Sequence, residues 1–109
     1  MYDLKEVMGL FDVVPDVEDM KYRVIAYCYE AYDYEGDAYV LLERDGQYYE
    51  VQGAHCSCYG LEGQWELQHT TPEALKHRID HGQHYGAFLD CIAKIQEHFK
   101  DRWVVDSKK

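Results

Sequence analysis

Residues 22–56 alternate between apolar and polar side chains in the way that is typical of β-strands. The segment is rich in Tyr, Val and Ile, and it predicts three strands, at about 22–32, 38–44 and 47–56. Asp45-Gly46 between the last two is a type I′ turn signature, because both central residues of that turn must accept positive φ. The second and third strands are therefore predicted to form a hairpin with Arg44 opposite Gln47.

This hairpin register divides the side chains between two faces of the sheet. One face pairs Val40 with Val51 and Leu42 with Tyr49, and it is predicted to be the buried face. The other face mixes polar and apolar residues and is predicted to be in contact with solvent; it holds Tyr39, Leu41, Glu43, Tyr48, Glu50 and Gln52. If Glu35-Gly36 is a two-residue turn, the first strand adds Ile25, Tyr27, Tyr29 and Ala31 to the buried face and Cys28, Glu30 and Tyr32 to the other.

Three helices are predicted around this sheet. Asp3 caps a short helix over 4–8 that ends at Gly9, and Thr71-Pro72 begins another that ends at Gly82. A longer helix over about 84–102 has an apolar stripe at spacings of three and four, formed by Tyr85, Phe88, Leu89, Ile92, Ile95 and Phe99. Residues 103–105 either continue this helix or add an edge strand, and residues 64–69 are a candidate fourth strand.

These elements predict one α+β domain over residues 1–109. We expect a three- or four-stranded antiparallel sheet, covered on one face by the C-terminal helix, with two further short helices. No apolar run reaches the roughly 20 residues of a membrane span, and the first residues lack the features of a signal peptide. The chain is therefore expected in the cytoplasm, with reduced cysteines and no cofactor.

Negative charge is concentrated in the N-terminal half. The formal charge is −10, and residues 1–50 carry 13 acidic and 4 basic side chains, a net charge of −9. Direct nucleic-acid binding by that half is not expected, since cations supply the affinity for phosphates. An acidic surface can instead meet a basic partner protein, although many small acidic domains are acidic only for solubility.

The cysteines raise the question of zinc. Cys56 and Cys58, with His55 beside them and Cys28 on a neighbouring strand, carry ligand types that zinc prefers. Structural zinc sites usually use two pairs with two to four residues between the cysteines, and here a second pair is missing. The alternative is that Cys28, Cys56 and Cys91 are small buried apolar residues. No metal site is therefore favoured.

Nothing in the sequence predicts an enzyme. The chain has no Walker loop, no GxGxxG and no GxSxG motif, and its carboxylates fall in turns and on strand positions expected to be exposed. A catalytic cysteine needs an environment that favours the thiolate, and an acidic surrounding opposes that. A non-enzymatic protein is the prediction.

Tyrosines and carboxylates are interleaved along the predicted sheet. Eight of the eleven tyrosines lie between residues 22 and 49. Tyrosine is enriched at protein interfaces, and carboxylates beside it pair with Lys or Arg of a partner; tyrosine is also a good strand former that fills cores. The predicted partner-binding residues are those of the first turn and of the solvent face: Tyr32, Asp33, Tyr34, Glu35, Asp37, Tyr39, Glu43, Tyr48 and Glu50.

The segment Cys-Ser-Cys-Tyr-Gly-Leu-Glu-Gly-Gln-Trp at 56–65 resembles a stretch found in small, uncharacterised phage and prophage proteins. The resemblance extends over the preceding hairpin and the helix start at 71–75, about half of the chain. It implies an accessory phage-type protein inside a bacterial cell. Together with the charge, it predicts a protein that inhibits or decoys a basic, nucleic-acid-binding surface of a host enzyme or defence complex. The alternative is a zinc-stabilised interaction module that uses Cys56 and Cys58, and homodimer formation through a sheet edge is possible.

Overall fold

The computed structural model describes residues 3–32, 35–55, 64–82 and 87–107, and the side chains of all of these except 31, 32, 35, 55 and 102–107. The chain forms α1 (Leu4–Leu10), β1 (Arg23–Tyr32), β2 (Glu35–Arg44), β3 (Gln47–His55), β4 (Gln68–Thr70), α2 (Pro72–Asp80) and α3 (Ala87–Ser107), with a 3₁₀ turn at Asp19–Lys21. The four strands form one antiparallel sheet in the order β1-β2-β3-β4. The predicted α+β class is confirmed. No helix among the described residues is long and apolar enough to cross a membrane.

The β2–β3 hairpin has the predicted register. Arg44 pairs with Gln47, Leu42 with Tyr49 and Val40 with Val51. Asp45 and Gly46 both have positive φ, of 53° and 81°, as a type I′ turn requires. A two-residue turn signal between two alternating segments was sufficient to align the strands.

The β1–β2 pairing differs from the predicted one. Tyr32 pairs with Glu35, so the turn is two residues earlier than the proposed Glu35-Gly36 turn. Tyr27 nevertheless lies on the face that was predicted for it, opposite Val40, because the observed register differs from the predicted one by an even number of residues. A bulge between Val24 and Ala26 then shifts the register, and Ile25 packs on the opposite face from the predicted one.

The sheet is covered on both faces. One face packs against α1 in a cluster that we call the α1 cluster: Leu4, Val7, Met8, Phe11, Val24, Ala38, Val40, Leu42 and Val51. The other face packs against α2 and α3 in the α3 cluster: Ala26, Tyr39, Leu41, Leu75, Ala87, Phe88, Cys91, Ile95 and Phe99. The C-terminal helix therefore covers the face that the sequence predicted to be in solvent, and the face predicted to be its partner is covered by α1.

The predicted starts of the first two helices are correct, whereas α3 is described from Ala87 and not from residue 84, and the predicted helix ends differ from the observed ones. The Asp3 side chain accepts a hydrogen bond from the backbone N–H of Lys5, and Thr71 accepts one from that of Ala74. The first helix continues through Gly9 to Leu10. The last helix continues through residues 103–105 to Ser107, so that segment is helical and not an edge strand.

Two glycines allow a matched test of backbone conformation. We expect Gly46→Ala to lower the free energy of unfolding by about 1–2 kcal/mol, because Gly46 has a φ of +81° that an L-residue rarely adopts. We expect Gly9→Ala to raise it by about 0.5–1 kcal/mol, since alanine is the better residue inside a helix. A new Cβ meets no atom within 4 Å at either position. Urea denaturation measures the free energy of unfolding of both variants. If both substitutions change it in the same direction, the backbone conformations described for Gly9 and Gly46 are wrong.

Candidate functional site

The predicted partner-binding residues do not form one exposed surface. Tyr39 is 1% exposed and Glu50 is 7% exposed, because α2 and α3 pack over them. Their assignment to a solvent face is wrong. Alternation along β2 and β3 placed them correctly on one face, but it could not show that a helix covers that face.

Other members of the predicted set already have intramolecular partners. Tyr48 is half-buried, and its ring contacts that of Phe99 on α3 edge to face, with centroids 5.2 Å apart. Glu43 forms an ion pair with Arg23 on the neighbouring strand. Asp37 accepts a hydrogen bond of 2.9 Å from the backbone N–H of Ala87, the first residue of α3. A carboxylate at that position caps the N-terminus of the helix and interacts favourably with the helix dipole. Asp37 therefore helps to hold α3 on the sheet.

The remaining predicted residues are the end of β1, the start of β2 and the two positions between them in the sequence. Asp33 and Tyr34 are outside the described residues. Tyr32 and Glu35 pair through their backbones at the end of β1 and the start of β2. The part that these side chains play in binding stays a prediction.

A polar cluster lies beneath α2 on the side of the sheet that α3 covers. Nη1 of Arg78 is 2.9 Å from each carboxylate oxygen of Glu50, and the Arg78 guanidinium stacks over the Phe88 ring at 4.3 Å from its centroid. The Tyr39 hydroxyl lies beside this pair without a hydrogen-bond partner among the described residues. Burial, and then the nearby negative charge of Glu50, raise the pKa of Tyr39. The cluster contains a part-buried ion pair that fixes α2 on the sheet.

A cleft of about 330 Å³ opens between β2, β3 and the start of α3. Two polar side chains in its wall are engaged with the backbone. Asp37 caps α3, and the Gln64 amide both donates to and accepts from Ala54, at 2.7 and 2.8 Å. The Gln64 side chain thereby hydrogen-bonds to the backbone of β3 beyond the point where β4 ends. In these roles, Asp37 and Gln64 organise the fold around the cleft.

Most of the candidate zinc ligands lie outside the described residues or have no described side chain. Cys56 and Cys58 are outside the described residues, and the side chain of His55 is not described. Cys28 lies 3.4 Å from the Lys94 ammonium, an environment that disfavours a cation. Among the described residues, no group of three or more His, Cys, Asp or Glu side chains is placed to hold a metal ion.

A different segment exposes both apolar and acidic side chains. We call residues 12–20 the acidic loop; it follows α1, includes the first two residues of the 3₁₀ turn, and contains Asp12, Asp16, Glu18 and Asp19 but no Lys or Arg. Val14, Val17 and Met20 in this loop are 87%, 79% and 55% exposed, and Leu10 just before it is also exposed. Several exposed apolar side chains within one acidic segment make it a candidate interaction site.

The acidic loop is held in one conformation by contacts within the fold. Val13 packs against the α1 cluster, and its N–H donates to the carbonyl of Met8 at 3.1 Å. The N–H groups of Asp16 and Asp19 each donate to the other residue's carboxylate, at 3.1 and 2.9 Å. A pre-organised loop loses little entropy when it binds.

Glu18 connects the acidic loop to the sheet. It accepts hydrogen bonds from Arg44 at 2.8 Å and from Lys21 at 3.0 Å. These two cations, Arg44 first, hold the pKa of Glu18 below its ordinary value. Glu18 is therefore already paired, which leaves Asp12, Asp16 and Asp19 as the carboxylates of the loop that are not in a salt bridge with a basic side chain of the described residues.

Residues 12–20 are not among the partner-binding residues predicted from the sequence. The sequence does contain a signal for this segment: valines and a methionine occur where there is no strand or helix period. A regular element therefore cannot bury these side chains together. Comparison with known proteins adds no further candidate, because no protein family, curated protein or solved structure matches this chain.

Proposed function

We propose that this protein is a non-enzymatic binding protein, and that its acidic loop docks on a basic protein surface which also offers an apolar groove. The observation that carries the proposal is that Val14, Val17 and Met20 are exposed among carboxylates on a loop that the fold holds in place. Monomeric proteins seldom expose such a group of apolar side chains unless it has a binding role.

Charge supports the choice of partner. The loop contains no basic side chain, and the first 50 residues have a net charge of −9. Such a field attracts a basic surface and repels nucleic acid and acidic proteins. Basic surfaces are commonly the nucleic-acid-binding grooves of other proteins. We therefore place the partner in that class, a host protein whose groove this chain blocks or decoys in the manner of a phage-encoded accessory protein.

Removing charge from the acidic loop tests this proposal. The variant Asp12→Asn/Asp16→Asn/Asp19→Asn removes three charges and retains side-chain oxygens that can accept the loop's hydrogen bonds. We expect its affinity for a partner captured from bacterial lysate and then purified to fall roughly tenfold or more at low salt, since exposed charges steer and stabilise the encounter. The difference should shrink in high salt. Calorimetric titration against wild-type protein measures the change.

A control variant removes the same charge elsewhere. Glu66→Gln/Glu97→Gln/Asp101→Asn changes three exposed carboxylates outside the loop and should bind as wild type does. A second loop variant, Val14→Ser/Val17→Ser, should weaken binding without changing charge. A DNA duplex should compete with the protein for a partner of the proposed class. If the control and the loop variants weaken binding equally, or if DNA does not compete, the proposal is wrong.

A further inference from the structure

Two cysteines that are distant in the sequence meet where α3 packs on the sheet. Cys91 on α3 is fully buried in the α3 cluster, and Cys28 on β1 is partly buried and packs against the same cluster. Lys94, one turn after Cys91 on α3, donates a hydrogen bond to Sγ of Cys28 at 3.4 Å, so the two cysteines lie at the same part of the contact between α3 and β1. Helix packing therefore brings two thiols together, although neither belongs to a cysteine motif in the sequence.

The two sulfurs have different surroundings. The Lys94 ammonium donates hydrogen bonds to Sγ of Cys28 at 3.4 Å and to the carbonyl oxygen of Tyr27 at 3.0 Å. The second bond holds the cation beside the sulfur, where it stabilises the negative charge of a reacting thiolate. Burial raises the pKa of Cys91, so that thiol remains protonated. Cys28 is therefore the accessible nucleophile, and Cys91 is its buried partner.

We propose that Cys28 and Cys91 form a reversible disulfide when the protein meets a peroxide, and that this bond locks α3 to β1. The Cys28 thiolate attacks one oxygen of hydrogen peroxide, the O–O bond breaks, and the departing hydroxide is protonated to water. Cys28 is then a sulfenic acid. The Cys91 sulfur attacks the Cys28 sulfur, the S–O bond breaks, and the leaving hydroxide takes the Cys91 proton as water. Two thiols and one peroxide thus give one disulfide and two waters, and a small thiol reduces the bond again by exchange.

The test uses the full chain with Cys56→Ser/Cys58→Ser, which leaves only Cys28 and Cys91 of the four cysteines. After treatment with hydrogen peroxide we expect an intact mass lower by about 2 Da, reversed by dithiothreitol. A non-reducing peptide map should contain the Cys28–Cys91 link. The bond would close a long loop, so the melting temperature of the oxidised protein should rise by on the order of 10 °C.

Adding Cys91→Ser to this background should prevent the mass loss and leave a sulfenic acid on Cys28 that dimedone traps. If the peroxide-treated protein with both cysteines retains two free thiols, or links them only between separate molecules, the proposal is wrong. That experiment uses native residues at both positions, so it holds even if the Cys91→Ser variant does not fold.

Lys94 has its own test. We expect Lys94→Gln to slow disulfide formation roughly tenfold, and Lys94→Arg to restore most of the rate, because a cation within hydrogen-bond distance stabilises the negative charge on the attacking sulfur. Lys100→Gln, on the same helix but paired with Glu97, is the matched control and should leave the rate unchanged. Quenching with an alkylating reagent at timed intervals measures these rates. A rate that is unaffected in Lys94→Gln would overturn the role of the lysine.

Discussion

Replacing Arg78 with methionine is expected to lower the free energy of unfolding by about 3 kcal/mol or more. Glu50 is almost fully buried, and both of its carboxylate oxygens receive their hydrogen bonds from Arg78. Methionine retains much of the apolar contact with Phe88 but leaves the carboxylate without its cation. An unpaired charge in an apolar interior is among the most destabilising changes that a single substitution makes. Urea denaturation of both proteins measures the loss.

A second Arg–Glu pair, which joins β1 to β2, provides the control for this prediction. Arg23 is paired with Glu43, but it is largely exposed, so Arg23→Met should cost less than about 1 kcal/mol. The double variant Glu50→Leu/Arg78→Met should regain most of the stability, because it removes both charges together. If Arg78→Met and Arg23→Met have equal effects, the Glu50–Arg78 pair is not buried and α2 does not lie as described.

Truncating one side chain on each face of the sheet should destabilise the protein by a similar, large amount. Phe11 from the α1 cluster and Ile95 from the α3 cluster are both fully buried, and Phe11 also contacts the Trp65 ring edge to face at 5.2 Å. We expect Phe11→Ala to cost about 3–5 kcal/mol and Ile95→Ala about 2–5 kcal/mol, through lost burial and the cavity that remains. Chemical denaturation followed by fluorescence and by circular dichroism measures both.

Exposed neighbours supply the controls for these truncations. Leu89 is on the same helix as Ile95 but is half-exposed, and Val14 follows Phe11 closely in the sequence but is almost fully exposed. Leu89→Ala and Val14→Ala should each change stability by about 0.5 kcal/mol or less. A one-sided sheet would give a large effect for only one of the two clusters, and that result would contradict the architecture.

The two-sided sheet also changes where function can lie. Tyr39 and Glu50 help to hold the domain together and are not available to a partner, whereas the acidic loop has apolar side chains that the domain leaves in solvent. The binding proposal and the redox proposal concern separate regions of the molecule, the acidic loop and the contact between α3 and β1. Each can therefore fail without affecting the other.

The sequence by itself determined the local structure. Asp45-Gly46 aligned β2 with β3, Asp3 and Thr71 marked the helix starts, and the apolar stripe of α3 predicted a helix on the sheet. These features depend on turn geometry, capping and side-chain period, which act over a few residues. The bulge at Ile25 has no such local signal, and the pairing of β1 beyond it was not predictable.

Only the tertiary structure decided which helix covers which face, and with it the place of every candidate site residue. A strand that carries Tyr39, Leu41 and Glu43 on one side is compatible with either solvent or a helix on that side, because its polar groups can bond to water or to a partner such as Arg78. The choice depends on contacts between residues that are distant in the chain, as between Glu50 and Arg78 or between Cys28 and Lys94. Such contacts leave no periodic pattern in the sequence, so the buried ion pair, the thiol pair and the exposed valines emerged only once the chain was folded.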